Sequence, residues 1–261
     1  AAIFNLQSGS IGSGLLANNS IVSGSIASGQ IGQMHLSSGS INSGQLATNA
    51  GLAGYFAGGL TGASYLTTAD KLLYSTDTTS AQTSANLSQG RDSLAGISGE
   101  GTQGYVAGGY TGAVVATADI ITYSTDTTAA QASANLSQAR YGPGGVSEGA
   151  KKGYFAGGYS SSYATTADKI TYSNDTTSAQ TTANLSQARL GLAGCSGEGT
   201  KGYFAGGMTG LANVTVTTAD KITYSNDTTT AQTTGNLSQA RYYLTGCSGE
   251  NTKGYFAGGI S

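Results

Sequence analysis

Two hydrophobic rhythms divide the chain. Over the first fifty residues one large apolar side chain returns at every fifth position: Leu6, Ile11, Leu16, Ile21, Ile26, Ile31, Leu36, Ile41 and Leu46. Five matches neither the 3.6-residue period of a helix nor the alternation of a plain strand. Glycine stands two places ahead in most modules, as at Gly9, Gly24 and Gly39, with Asn19 and Met34 filling two of the gaps. One apolar residue, one glycine and small polar fillers predict a short strand followed by a corner, because glycine accepts positive φ. A single row of this kind is too thin to enclose itself. The pattern therefore predicts that partner chains close the core, three around a common axis. A single-chain four-sided β-helix is the runner-up. Residues 1–50 contain no Asp, Glu, Lys or Arg. Disordered tails combine high net charge with few apolar residues, so this stretch reads as structure.

From residue 51 onward the rhythm lengthens to about fifty. The phrase Gly-Tyr-Phe-Ala-Gly-Gly begins at Gly54, Gly104, Gly153, Gly202 and Gly254, with Val106 replacing Phe once, at spacings of 50, 49, 49 and 52 residues. Each interval offers four candidate strands. In the fourth they are Leu192–Ser196, Gly202–Gly207, Lys221–Ser225 and a stretch in which Ala231, Thr233, Gly235 and Leu237 alternate with polar residues. Four short strands per fifty-residue repeat, rich in β-branched and aromatic residues, predict an all-β fold of propeller-type blades. The Gly-Tyr-Phe phrase reads as an inner strand of each blade, ended by a Gly turn. The domains expected are a fibre-like shaft, residues 1–50, and a repeat head, 51–261, of four full repeats and a partial fifth. Such a count closes a ring if the last strands complete the first blade. A longer protein or intertwining of three chains are the other routes, and a chain that begins without Met suits a processed product or a segment.

Charge narrows the function classes. Charged residues make up 9 % of the chain and the net charge is −2, so no basic patch invites nucleic acid or an anionic membrane. No apolar run approaches the length of a membrane-spanning helix, and no signal peptide is evident. Within the repeats the charges recur, as with Asp168, Lys169, Asp175, Arg189, Glu198 and Lys201. Recurrence points to turns and inter-repeat bonds rather than to a catalytic site. Asp92 stands outside the recurrent set. His35 is the one histidine; beside Leu36 it is expected to face outward, and a metal site gathered on a trimer axis is the lesser reading. Cys195 and Cys247 hold the place of Ile97 and Val146. They are expected to be free, buried, and too far apart for a disulfide. No enzyme, cofactor or metal is expected. The Asn-x-Ser/Thr triplets recur with the repeat and are expected to stay bare.

Recognition is expected where repeats differ. The connections after each Gly-Gly vary in length and content and carry Tyr65, Tyr110, Tyr159, Tyr163 and Met208, while the turns before the next repeat add Tyr141, Tyr242 and Tyr243. Loops on a rigid scaffold are where binding concentrates, and tyrosine can stack on a sugar ring while its hydroxyl hydrogen-bonds. The competing reading is that these rings only cover strand ends or pack against neighbouring subunits.

Two resemblances extend this picture. Residues 23–41, Ser-Gly-Ser-Ile-Ala-Ser-Gly-Gln-Ile-Gly-Gln-Met-His-Leu-Ser-Ser-Gly-Ser-Ile, resemble repeat stretches of bacteriophage tail fibres. Residues 54–261 resemble the kelch motif, with Gly58-Gly59, Tyr74 and Arg91, then Gly108-Gly109, Tyr123 and Arg140, in its Gly-Gly, Tyr and Arg places; a small residue such as Ala81 or Ala179 holds the Trp place. The resemblances imply a homotrimeric shaft carrying a kelch-like head. They also imply a virion location outside the cell, tail or baseplate proteins as partners, and non-enzymatic attachment to a host surface glycan. A polysaccharide-cleaving tailspike and a purely structural fibre are the alternatives.

Overall fold

The computed structural model describes residues 53–99, 102–197, 199–210, 214–249 and 253–261. All fall in the second of two units into which the chain divides, Ala50–Ser261. The period-five stretch and His35 lie outside the described residues.

The repeat is a four-stranded antiparallel sheet with strands in sequence order, here a, b, c and d. In the third sheet these are Gly144–Glu148, Lys152–Ala156, Ala167–Thr171 and Thr176–Ala179. The second sheet runs Ala95–Gly99, Gln103–Ala107, Ala118–Thr122 and Thr127–Ala130, and the fourth Ala193–Gly197, Lys201–Ala205, Ala219–Thr223 and Thr228–Ala231. The first sheet contributes b, c and d (Ala53–Ala57, Ala69–Leu73, Thr78–Ala81), and the fifth a and b (Thr245–Gly249, Lys253–Ala257). Strand b carries the Gly-Tyr-Phe phrase and ends where Gly157 and Gly158 take φ of 74° and 101°, a turn that glycine makes without a Cβ clash. The c–d hairpins turn on Asp77, Asp126, Asp175 and Asp227, all at φ of 52–54°. Aspartate is among the few side chains that tolerate this region.

One expectation about the strands needs correction. The fourth strand lies earlier than the alternation at Ala231–Leu237 indicates: it is Thr228–Ala231, and Thr233–Gly235 form a 3-10 turn. The reason is a side-chain clamp. Asn236 Oδ1 accepts the Ala219 N–H at 2.9 Å, as Asn184, Asn135 and Asn86 do in the other repeats, so the Asn-Leu-Ser-Gln segment ties to strand c instead of extending strand d. The Gly-Tyr-Phe strand lies second in each four-stranded sheet, between strands a and c. Strands a of consecutive sheets pack on one another, the second on the third, the third on the fourth and the fourth on the fifth. A Cβ on Gly145 would meet the Gly96 carbonyl at 2.5 Å, and one on Gly194 or Gly246 would overlap the carbonyl of Gly145 or Gly194. Ser147, Ser196 and Ser248 hydroxyls accept the N–H groups of Ser98, Ser147 and Ser196 at 2.8–2.9 Å. A further ladder links Gly142 N–H to Ser93 O, Gly191 N–H to Gly142 O and Tyr243 N–H to Gly191 O at 2.7–2.8 Å.

The core lies between sheets. Phe155, Ile170 and Tyr172 of the third sheet pack on Ile97, Tyr105 and Leu136 of the second, and Phe204, Ile222 and Tyr224 of the fourth pack on Val146, Tyr154 and Leu185 of the third. The first three joints are each closed by a buried ion pair: Arg91–Asp119 at 2.8 Å, Arg140–Asp168 at 2.6 Å and Arg189–Asp220 at 2.8 Å. At the rim the hairpin aspartate of each sheet receives donors from the preceding one. Asp126 takes Tyr55 and Lys71, Asp175 takes Tyr105 and Gln103, and Asp227 takes Tyr154, Lys152 and Lys169. Among the described residues the sheets do not close into a ring. Phe56 of the first sheet is 63 % exposed, where Phe155 and Phe204 in the same place are wholly buried.

Cys195 and Cys247 are both free, but Cys195 is buried and Cys247 exposed. The Cys195 thiol reaches the Cys247 carbonyl at 3.5 Å, because successive a strands pack closely.

Asp227 makes the joints acid-sensitive. Burial raises its pKa, but hydrogen bonds from Lys152, Lys169 and Tyr154 outweigh that and bring it from 3.8 down to about 2. Because the folded value lies below the unfolded one, the stabilisation is complete above about pH 4 and is lost as the pH falls through about 2. Asp227→Asn is expected to lower stability at pH 7 and to flatten the decline between about pH 4 and 2. Urea unfolding at stepped pH checks both.

A tyrosine-lined candidate site

The unequal connections do not hang free. Each lies on the closing segment of the repeat before it. Tyr159 and Tyr141 exchange backbone hydrogen bonds at 2.8 and 3.0 Å, and Leu190 and Met208 exchange theirs at 2.9 and 3.1 Å. Asp92 pairs with Tyr110 and Tyr242 with Ile260 in the same way, and Tyr159 pairs onward with Tyr163. The second glycine of the Gly-Gly pair makes this approach possible. At Gly158 a Cβ would stand 2.8 Å from the Tyr141 carbonyl.

Because the repeats pack in series, their tyrosines form a row. Ring centroids are 5.8 Å apart for Tyr65–Tyr110, 5.9 Å for Tyr110–Tyr141, 5.6 Å for Tyr141–Tyr159 and 5.3 Å for Tyr159–Tyr163. Three of the four contacts are edge-on, the favoured geometry for aromatic pairs. The row runs into a cavity of about 690 Å³ walled by Tyr141, Tyr159, Tyr163, Ser161, Ser162 and Met208. That size falls within the roughly 300–1,000 Å³ of small-ligand clefts.

Three of the seven sequence candidates, Tyr159, Tyr163 and Met208, line this cavity, and Tyr65 and Tyr110 join it through the row. Tyr243 stands at φ of 52°, shares a hydrogen bond with the Ser93 side chain and lies near Tyr163 and Asp92. Tyr242 leans on Tyr243 at 4.8 Å but does not line the cavity. Tyr141, which the sequence offers with Tyr242 and Tyr243 among the turn tyrosines available for recognition, is the centre of the row. Burial pushes its hydroxyl pKa up, as do the neighbouring Tyr243, Tyr159, Tyr163 and Tyr110, so it stays protonated and able to donate. Asp92, which stands alone in the sequence, is here beside Tyr65 and Tyr243. Burial raises its carboxyl pKa. Its signal was its departure from Tyr141, Leu190 and Tyr242, which hold the same bridging position in later repeats.

A second cavity of about 470 Å³ is lined by Glu148, Lys151, Lys152, Lys169 and Tyr224. Its lysines are engaged: Lys152 and Lys169 with Asp227, Lys151 with Glu148. It belongs to the third joint. Among the described residues no group of three or more His, Cys, Asp or Glu could hold a metal ion, and no helix is long and apolar enough to cross a membrane. The tyrosine face can therefore offer flat apolar edges, phenol and serine hydroxyls, and one carboxylate. No protein-family model matches the chain, and no curated protein is similar to it.

Proposed function

We propose that this chain is a non-enzymatic host-attachment protein of the bacteriophage tail-fibre kind. A period-five shaft trimerises it, and a kelch-like, propeller-type head binds a host surface glycan at the tyrosine face. The observation that carries the reading is the row of tyrosines that leads from Tyr65 and Tyr110 to a cavity walled by Tyr141, Tyr159 and Tyr163. Sugars present CH faces that stack on aromatic rings and hydroxyls that need partners, and the face supplies both. The acids favour binding over cleavage. Glycoside hydrolysis uses two carboxyl groups roughly 5–10 Å apart across the scissile bond, whereas Asp119, Asp126, Asp168, Asp220 and Asp227 are held in ion pairs between sheets. In this reading the protein acts outside the cell on the virion, joined to other tail or baseplate proteins.

The test is the double variant Tyr159→Ala/Tyr163→Ala in the full chain, assayed for adsorption to host cells and to their isolated surface polysaccharide. Loss of two stacking rings is expected to weaken binding roughly ten- to hundredfold without moving the melting temperature far. Unchanged adsorption would remove the assignment from this face. Release of reducing ends from the polysaccharide by the wild-type chain would instead favour a depolymerase.

A further inference from the structure

Charge is divided between the two ends of the strands. Neighbouring strands are antiparallel, so the a–b and c–d turns share one end. The b–c connections share the other with the segments that lead into strands a. The first end is charged. Asp126, Asp175 and Asp227 sit in its c–d turns, and Glu148, Lys151 and Lys152 flank an a–b turn, with Lys152 held to Asp227 at 2.6 Å. The second end, which carries the tyrosines, is not. Its four b–c connections, 60–69, 110–118, 159–167 and 208–219, contain no Asp, Glu, Lys, Arg or His. No residue that walls the cavity of about 690 Å³ is charged. The neighbouring Arg91, Arg140 and Arg189 are wholly buried and held by Asp119, Asp168 and Asp220, and Arg241 bonds the Phe256 carbonyl at 3.0 Å. Across the segments to which the connections pair, 92–94, 141–143, 190–192 and 242–244, the one charge is Asp92. Its backbone pairs with Tyr110, and its buried Oδ1 accepts no hydrogen bond among the described residues.

We propose that the tyrosine face takes an uncharged saccharide and rejects sugars that bear carboxylate, sulfate or phosphate, an inference that rests on the attachment reading above. An anion moved from water against aromatic rings needs a cation or a full set of donors to replace its hydration. Proteins that recognise carboxylate or phosphate supply arginine or lysine for this purpose. Here every nearby guanidinium is turned into a joint, and Asp92 sets a negative charge beside Tyr65, at the start of the row. A neutral sugar asks only for what the face holds: rings for its CH surfaces, and phenol and serine hydroxyls that both donate and accept for its hydroxyls. Selection against acidic sugars thus comes from a missing counter-charge and a like charge, not from a clash.

The full chain is applied to an array of bacterial surface polysaccharides of defined structure. The array holds neutral polymers, uronic acid and phosphate-bearing polymers, and the carboxyl-reduced form of each uronic acid polymer. Retained polymers are expected to be uncharged, and their retention should change less than about twofold between about 0.05 and 0.5 M salt, because screening acts only on charged partners. Tyr159→Ala/Tyr163→Ala should cut retention about tenfold or more. Ser161, exposed on the cavity wall, offers a gain of function: Ser161→Lys should retain acidic polymers at low salt that the unaltered chain does not. The melting temperature of each variant verifies the fold. Retention of acidic polymers by the unaltered chain, lost in the double tyrosine variant, would overturn the charge selection and leave attachment at this face standing. Retention that the double variant does not alter, or retention of no polymer at all, would overturn both.

Discussion

Replacing Arg140 by methionine is expected to lower the unfolding free energy by about 3–5 kcal/mol, the usual cost of leaving a buried charge without its partner. Arg140 and Asp168 are both fully buried. The guanidinium bonds Asp168 at 2.6 Å, the Thr166 hydroxyl at 2.9 Å and the Phe155 carbonyl at 3.1 Å. Burial works to lower the Arg140 pKa and Asp168 works to hold it up. Deleting the cation strands the carboxylate and frees the Phe155 carbonyl, at the joint where the second and third sheets share a core. In a serial array stability is a sum of repeat and nearest-neighbour terms, so a weakened joint should split one urea transition into two. Arg140→Met/Asp168→Leu should recover most of the loss, because an apolar pair of similar volume removes the stranded charge. Equal losses in the single and double variants would mean that the pair matters through its hydrogen bonds to the backbone.

The second large effect is expected at Gly194. A methyl group there overlaps the Gly145 carbonyl and stands 2.9 Å from Val146 Cγ1. The obstructing atom is backbone and cannot swing aside, so strands a of the third and fourth sheets must separate. Gly194→Ala should cost about 3 kcal/mol or more, at or beyond the usual range for overpacking. Gly235→Ala is the control. Its Cβ would meet the flexible Gln232 side chain at 3.3 Å and the Ala219 methyl at an ordinary 3.6 Å, and the same place is alanine at Ala85, Ala134 and Ala183. It should be neutral or stabilise by up to about 1 kcal/mol. Thermal denaturation of the two variants side by side checks the contrast.

The repeat length, the four strands and the structural role of the recurrent charges were readable because each follows from local pattern repeated in register. What was not readable depended on contacts made at a distance. The alternation at Ala231–Leu237 imitates a strand, and nothing local reveals that Asn236 is committed to the Ala219 amide. The packing of successive a strands was hidden too, because Gly145 and Gly194 let two backbones touch, and a glycine's neighbour is invisible in sequence. At the candidate site the loop tyrosines were identifiable as residues that vary between repeats. Their assembly into one row, with Tyr141 at its centre and Asp92 beside it, arises from packing successive repeats.

Near-identical repeats carry a risk of assembling out of order, since a sheet that folds against the wrong neighbour would find a similar surface. The three rims differ in a way that counters this. Asp126 is met by one lysine, Asp175 by the neutral Gln103, and Asp227 by two lysines. A sheet displaced by one place would leave an ammonium group unmatched or an aspartate short of donors. The rim charges thus work as addresses, biasing each repeat toward its proper place in the order while the shared core residues supply the adhesion common to all.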